Sequence, residues 1–144
     1  MGAYEHIMVG VDGSEASAEA AAAAGRLATD LGAKVTAVYV RQLPTVVAAP
    51  LALSVDLDLD RYWTELERQA STRTAEVLDR LGAPWRFEAR TGDPAAELDN
   101  AAAEHGADLI IVGARGHSVA HRLLLGSVSS RLVHHGRRPV LIVR

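Results

Sequence analysis

Two short and almost entirely apolar runs constrain the fold more than any other sequence feature. They occupy residues 6–11 (HIMVGV) and 107–113 (ADLIIVG). Continuous apolar strands are buried on both faces, which is typical of parallel sheets covered by helices. Helical patterns alternate with these runs and with further strand patterns at 34–40, 84–90 and 139–143. This alternation predicts an α/β fold with a single open, doubly wound parallel sheet and helices on both faces.

The segments between the strands carry helix start and stop signals. Ser14 and the Asp93-Pro94 pair are typical of helix N-termini, and glycines follow the helical patterns. We expect helices over residues 15–31, 61–81, 94–105 and 127–135. Residues 41–60 contain two prolines and no helical period, so we expect a long surface excursion there.

Composition excludes several classes of protein. The 144 residues predict one domain, 1–144, and the chain has no cysteine for disulfides or thiolate metal sites. Lys34 is the only lysine, so the Gly-Lys-Ser/Thr triplet of a Walker phosphate loop is absent. No Gly-x-Gly-x-x-Gly fingerprint occurs, which disfavours a Rossmann dinucleotide site.

Charge and hydropathy predict a cytoplasmic protein. The net charge of −3 gives no electrostatic reason to expect binding to nucleic acid or to an acidic membrane. The start, MGAYEHIMVG, lacks the features of a secretory signal. No run approaches the roughly 18 apolar residues of a membrane span. We therefore expect neither nucleic acid nor membrane as a partner.

Glycines cluster where two predicted strands end and where the last helix begins. Gly10, Val11 and Asp12 close the first strand, Gly113 and Gly116 follow the fourth, and Gly126-Ser127 opens the last helix. In open α/β sheets, ligands bind beyond the carboxyl ends of the strands, where the winding direction reverses. A helix N-terminus offers unpaired amides to a phosphate, and Ser127 and Ser129 add hydroxyl donors. The pattern alone also fits glycines that only make turns.

The segment between these glycines carries further donors. Arg115, His117, His121 and Arg122 are candidates for the phosphate side of a nucleotide. His117 and His121 also have a spacing that suits a metal on a helix, but no third ligand is evident. Asp12 has an alternative role in an Asx turn that caps the first helix.

The glycine spacing is similar to a nucleotide-binding motif of the universal stress protein family. Gly113-Ala-Arg-Gly116, nine further residues and Gly126-Ser127 match its G-x2-G-x9-G-S/T pattern. The segments IMVGVDGSEAS, GDPAAEL, GADLIIVGARG, GSVSSRLV and RPVLIV resemble the family along essentially the whole chain. The resemblance implies five parallel strands in the order 3-2-1-4-5, a homodimer and an adenine-nucleotide pocket, here the ATP-binding branch.

The resemblance also implies which residues contact the nucleotide. Asp12 would line the site, and the Val40 backbone would meet adenine. The loop after the fourth predicted strand would touch ribose and phosphates, and the start of the last helix would cradle phosphates. The full implied set is Gly10, Val11, Asp12, Val40, Gly113, Arg115, Gly116, Gly126, Ser127, Val128 and Ser129. Asp12 is also a candidate ligand for nucleotide-bound Mg²⁺.

One acidic run mimics a calcium loop. Asp56, Asp58 and Asp60, with Glu67 further on, match ligand positions 1, 3, 5 and 12. The position that requires glycine holds Arg61, so solvated charges leading into a helix fit the run better.

Three functions remain open at this stage. The first is a cytoplasmic homodimeric module that binds ATP and changes its interactions with a protein partner during stress. The second is slow ATP hydrolysis at the same pocket, and the third is an interaction module that needs no nucleotide. We expect the dimer to form through an apolar edge strand that begins at Pro139 and ends at Val143, since such edges tend to be covered or paired.

Overall fold

The computed structural model describes residues 3–42, 59–114 and 125–144. Five strands form one parallel sheet in the order β3-β2-β1-β4-β5. They are β1 (His6–Gly10), β2 (Lys34–Arg41), β3 (Trp85–Thr91), β4 (Leu109–Gly113) and β5 (Val140–Val143). The predicted α/β class, parallel pairing and strand order are confirmed.

Four helices connect the strands in the described residues. They are α1 (Glu15–Leu31), α2 (Leu59–Leu78), α3 (Pro94–His105) and α4 (Ser127–His135). Side-chain caps begin two of them: Ser14 accepts from the Ser17 amide, and Asp93 accepts from the Ala96 amide. Glycines in left-handed conformation, Gly32 and Gly106, end the same two helices, as their sequence signals predict.

The predicted limits of α2 were wrong at both ends. The helix begins two residues earlier than predicted and ends at Leu78 rather than 81. The Leu81 amide donates back to the Leu78 carbonyl, so the chain turns more tightly there, and Gly82 follows with a φ of +79°. Of the predicted excursion 41–60, Arg41 belongs to β2 and residues 59–60 to α2, while 43–58 lie outside the described residues.

Each face of the sheet carries its own apolar core. Ile7, Val9 and Ile111 pack with the alanines of α1 and with α2 on one face. Met8 and Ile110 pack with α3 and with Leu132 of α4 on the other. Both sets are fully buried in the sheet, as their uninterrupted apolar runs predict. Among the helices described, none is both long and apolar enough to cross a bilayer.

A buried histidine connects β1 with its neighbours near the amino edge of the sheet. The His6 Nδ1 lies 3.2 Å from the His105 carbonyl oxygen, which can only accept, so Nδ1 donates. In the neutral ring, which burial favours, Nε2 accepts from the Thr36 hydroxyl at 2.8 Å, and Thr36 accepts from the Arg86 Nε at 3.3 Å. This order of donors requires a neutral His6 ring.

Burial lowers the pKa of His6 below its usual 6.5, and the nearby charges of Lys34, Arg86 and His105 lower it further. The hydrogen bond to the His105 carbonyl opposes this shift but does not reverse it. Because the folded pKa is the lower one, the unfolded chain takes up a proton first as the pH falls. The contribution of His6 to stability is therefore complete above about pH 6.5 and is lost as the pH falls through the folded pKa.

We predict that wild-type protein loses stability between pH 8 and pH 5, and that His6→Gln flattens this loss. The glutamine amide can hydrogen-bond at the same position but does not titrate. Urea unfolding at half-unit pH steps gives both curves, and their difference isolates the histidine because the other titrating groups are shared. Parallel curves over this interval would contradict the prediction.

Candidate functional site

A cavity of about 540 Å³ opens at the carboxyl edge of the sheet, beyond β1 and β4. These two central strands pair in parallel, yet the chain leaves β1 towards α1 on one face and reaches α4 on the other face after β4. Such a reversal of winding leaves a crevice between the two connections. The cavity volume lies in the usual range for small-molecule sites, about 300–1,000 Å³.

The described residues that line the cavity come from the ends of β1, β2 and β4 and from the N-terminal parts of all four helices. They are Gly10, Val11, Asp12, Ser17, Val38, Tyr39, Val40, Gln42, Tyr62, Trp63, Leu66, Pro94, Leu98, Val112, Gly113, Ala114, Gly126, Ser127, Val128 and Ser129.

The turn after β1 is held by side-chain hydrogen bonds. The Ser14 amide donates to Asp12 Oδ1 at 2.9 Å, so Asp12 does form the Asx turn that the sequence left open as its alternative role. The Ser17 hydroxyl accepts from the Asp12 amide at 3.2 Å. Asp12 also lines the cavity. The turn thus fixes a carboxylate beside the cavity, and the two readings of Asp12 do not exclude each other.

Gly113 lies where β4 meets the first turn of α1. A Cβ at this position would lie 3.0 Å from the Ala16 carbonyl oxygen and 3.2 Å from its carbonyl carbon. These are backbone atoms of a packed helix, so they cannot move aside as a side-chain tip could. The glycine therefore has a packing role in addition to any role in ligand approach.

The start of α4 is built differently from the starts of α1 and α3. Its N-cap is Gly126, in an extended conformation, and no side chain caps it. The Ser129 hydroxyl donates to the carbonyl oxygens of Ala114 and Gly126, and the Gly126 amide donates to Ala114. These bonds fix the end of β4 to the first turn of α4. The first amides of a helix have no intrahelical acceptor, and in α4 the residues that carry them line the cavity.

The N-terminal part of α2 forms a wall that the sequence reading missed. Tyr62, Trp63 and Leu66 line the cavity together with Gln42, which follows β2. An ion pair of 3.4 Å between Arg41 and Glu67 holds this part of α2 against the end of β2. The available signal was the apolar stripe of α2, which begins at Trp63 and runs through Leu66 and Ala70.

Comparisons with known proteins identify the family. The model of the universal stress protein family matches residues 3–144. The chain belongs to the universal stress protein family. A universal stress protein of Methanocaldococcus jannaschii is 33% identical over 141 residues, which cover 98% of this chain and 82% of the relative.

Two solved universal stress proteins share the fold along nearly the whole chain. UspA from Lactobacillus plantarum superposes with a TM-score of 0.73 at 30% identity, covering 98% of both chains. A universal stress protein in complex with cAMP superposes with a TM-score of 0.67 at 30% identity, covering 98% of this chain and 97% of that one.

Most of the predicted site residues of this universal stress protein meet at one cavity. Those that line it are Gly10, Val11, Asp12, Val40, Gly113, Gly126, Ser127, Val128 and Ser129. Arg115, Gly116, His117, His121 and Arg122 lie outside the described residues. Ser129 differs from its predicted part as a hydroxyl donor to a ligand, because its hydroxyl donates to the Ala114 and Gly126 carbonyls instead.

The described residues contain no cluster of three or more histidine, aspartate or glutamate side chains that could hold a metal by themselves. Asp60 of the calcium-like run lies in the first turn of α2, whereas Asp56 and Asp58 lie outside the described residues. Asp12 on its own could complete the coordination of a cation that a ligand carries.

We predict that Gly113→Ala destabilises the fold by about 1–3 kcal/mol, the usual cost of forcing an added carbon into a packed site. The added Cβ must push the first turn of α1 away from β4, because it would meet the Ala16 backbone. Urea unfolding at pH 8 measures the change. Gly113→Ala with wild-type stability would show that the glycine is not needed for packing.

Proposed function

We propose that this universal stress protein is a cytoplasmic regulatory module that binds ATP, with Mg²⁺ carried by the nucleotide. The observation that carries the proposal is the start of α4, a helix N-terminus without a side-chain cap that opens into the cavity at the switch point of the sheet. The relative solved in complex with cAMP supports an adenine nucleotide as the ligand.

The electrostatics of this end of the cavity favour an anion. The α4 N-terminus carries the positive end of the helix dipole, and its first amides point outward along the helix axis. No acidic residue lies in the first turn of α4. A phosphate chain would satisfy these amides, while the Ser127 hydroxyl, at an exposed position, could donate as well.

Asp12 would accept a hydrogen bond from the ribose or coordinate Mg²⁺. Among the described residues that line the cavity it is the single carboxylate, and its Oδ1 already accepts from the Ser14 amide. A carboxylate held in this way suits a ribose hydroxyl or a nucleotide-bound cation. The proposed function is therefore binding, and turnover is measured separately as phosphate release per bound ATP.

We predict that Ser127→Pro weakens ATP binding about tenfold or more, whereas Ser127→Ala weakens it less. Proline is well tolerated at the first position of a helix, and the extended Gly126 before it suits proline, so the helix is retained. The variant removes one amide donor, and hydrogen bonds to charged groups contribute about 1.5–3 kcal/mol. Isothermal titration calorimetry with Mg-ATP compares the two variants and wild type.

The alanine variant is the matched control, because it loses the hydroxyl and keeps the amide. If wild type and Ser127→Pro bind Mg-ATP with equal affinity, the α4 amides do not hold the phosphates. Absence of ATP binding by folded wild-type protein at millimolar concentrations would overturn the proposed function itself.

The proposal includes a homodimer that forms through β5. This strand is at one edge of the sheet and pairs with β4 on its inner side. Leu141 on β5 is 41% exposed, and Val133 on the preceding helix is 50% exposed. Apolar side chains on an edge strand favour pairing with a second sheet edge, and a second copy offers the same strand.

We predict that Leu141→Asp converts the dimer to a monomer. The carboxylate places two like charges at a symmetric contact and removes apolar area, while in the monomer it remains partly solvated. Sedimentation equilibrium of wild type and variant at matched concentrations measures the mass, and Leu125→Asp, at another exposed apolar position, is the control. A wild-type monomer, or a variant that remains dimeric, would contradict the β5 interface.

A further inference from the structure

Trp63 lies at the end of the cavity that is remote from the α4 amides. The cavity lining extends from Gly113 and Ser127 at β4 and α4 to Val40 and Trp63 at β2 and α2. In the sheet, β1 separates β2 from β4, so the two ends are two strand spacings apart, about 10 Å. A nucleoside phosphate whose phosphates meet α4 therefore has its base near β2 and α2.

The position of Trp63 along α2 is not explained by packing on the sheet. Ala70 is fully buried and lies level with the β1–α1 turn, since a Cβ at Gly13 would be 3.7 Å from the Ala70 Cα. Arg73 confirms this level by donating to the Gly13 carbonyl at 3.1 Å. Trp63 is seven residues before Ala70, which places it about 10 Å further along the helix axis.

At the level of Trp63, α2 extends beyond the carboxyl edge of the sheet and faces the cavity. Trp63 and Glu67 are four residues apart, so they share one helix face, and the Arg41–Glu67 ion pair turns that face towards the end of β2. The Trp63 ring is half-buried and meets the Tyr62 ring edge-on, with centroids 5.4 Å apart and planes at 64°. A T-shaped contact of this kind covers at most one face of the indole, so Tyr62 leaves at least one face for another partner.

We propose that Trp63 stacks on the base of the bound nucleotide and makes the site select nucleoside phosphates over inorganic phosphate chains. This inference depends on the proposed nucleotide function and adds a residue that determines which part of the ligand is recognised. Stacking of a base on an aromatic side chain requires only a π-face, and loss of one such contact typically weakens binding about tenfold or more. The α4 amides bind the anion, and Trp63 recognises the base.

The test compares Trp63→Ala and Trp63→Phe with wild type, using two ligands in calorimetry. We expect Trp63→Ala to lose about tenfold in affinity for Mg-ATP and to keep its affinity for tripolyphosphate, which has no base. Trp63→Phe retains an aromatic face and should keep most of the ATP affinity. ATP affinity unchanged in Trp63→Ala, or an equal loss for both ligands, would overturn the stacking role.

Fluorescence gives a second measurement that does not require the alanine variant to fold. The other tryptophan, Trp85, is the first residue of β3 and therefore lies at the amino end of the strands, whereas the cavity opens at their carboxyl ends. The Trp85 indole donates to Asp79 at 2.8 Å. Trp85→Phe therefore leaves Trp63 as the sole reporter in a protein whose cavity is intact. We expect saturating ATP to quench this emission and tripolyphosphate to leave it unchanged.

The two proposals fail in different ways. Emission that stays constant while calorimetry on the same Trp85→Phe protein records full ATP binding overturns the stacking role and leaves the nucleotide function standing. Wild-type protein that binds no ATP by calorimetry overturns both.

Discussion

The parallel pairing of β1 with β4 is the constraint on which the rest of the structure depends. Ile7, Met8 and Val9 face Leu109, Ile110 and Ile111 across this pair, and nearly all of these side chains are completely buried. Because the chain departs to opposite faces after the two strands, helices cover both sides of the sheet. The same reversal separates the two connections at the carboxyl edge. The buried pair therefore creates both the two cores and the cavity between them.

The sequence predicted the fold because local signals and burial agree along most of the chain. Uninterrupted apolar runs identified the central strands, and glycine stops identified the ends of α1 and α3. The prediction of α2 was less accurate because its apolar stripe continues past the last helical residue. Leu81 belongs to that stripe, yet it lies beyond Leu78, where the chain turns back to form the Trp85 contact with Asp79. Periodicity does not record such a tertiary contact.

The cavity was predicted on its glycine side and missed on its aromatic side. Glycines after strands and before helices are local signals, so Gly10, Gly113 and Gly126 were found together. Trp63 fitted the core-facing stripe of α2, and its place in the cavity depends on how far the helix extends past the sheet. Gly113 shows a second limit of prediction from sequence. The Ala16 backbone leaves no room for a Cβ at this position, and the glycine motif does not reveal this packing role.

The helix starts explain how the fold can leave backbone amides available at the cavity. Ser14 and Asp93 satisfy such amides within α1 and α3, but Gly126 offers no side chain to α4. Ser129 compensates by fixing the first turn to Ala114 from inside the helix, so the turn is ordered without a cap. An anion at this position would complete the hydrogen bonding of α4 and would stabilise the folded chain by an amount that grows with the logarithm of its concentration above the Kd.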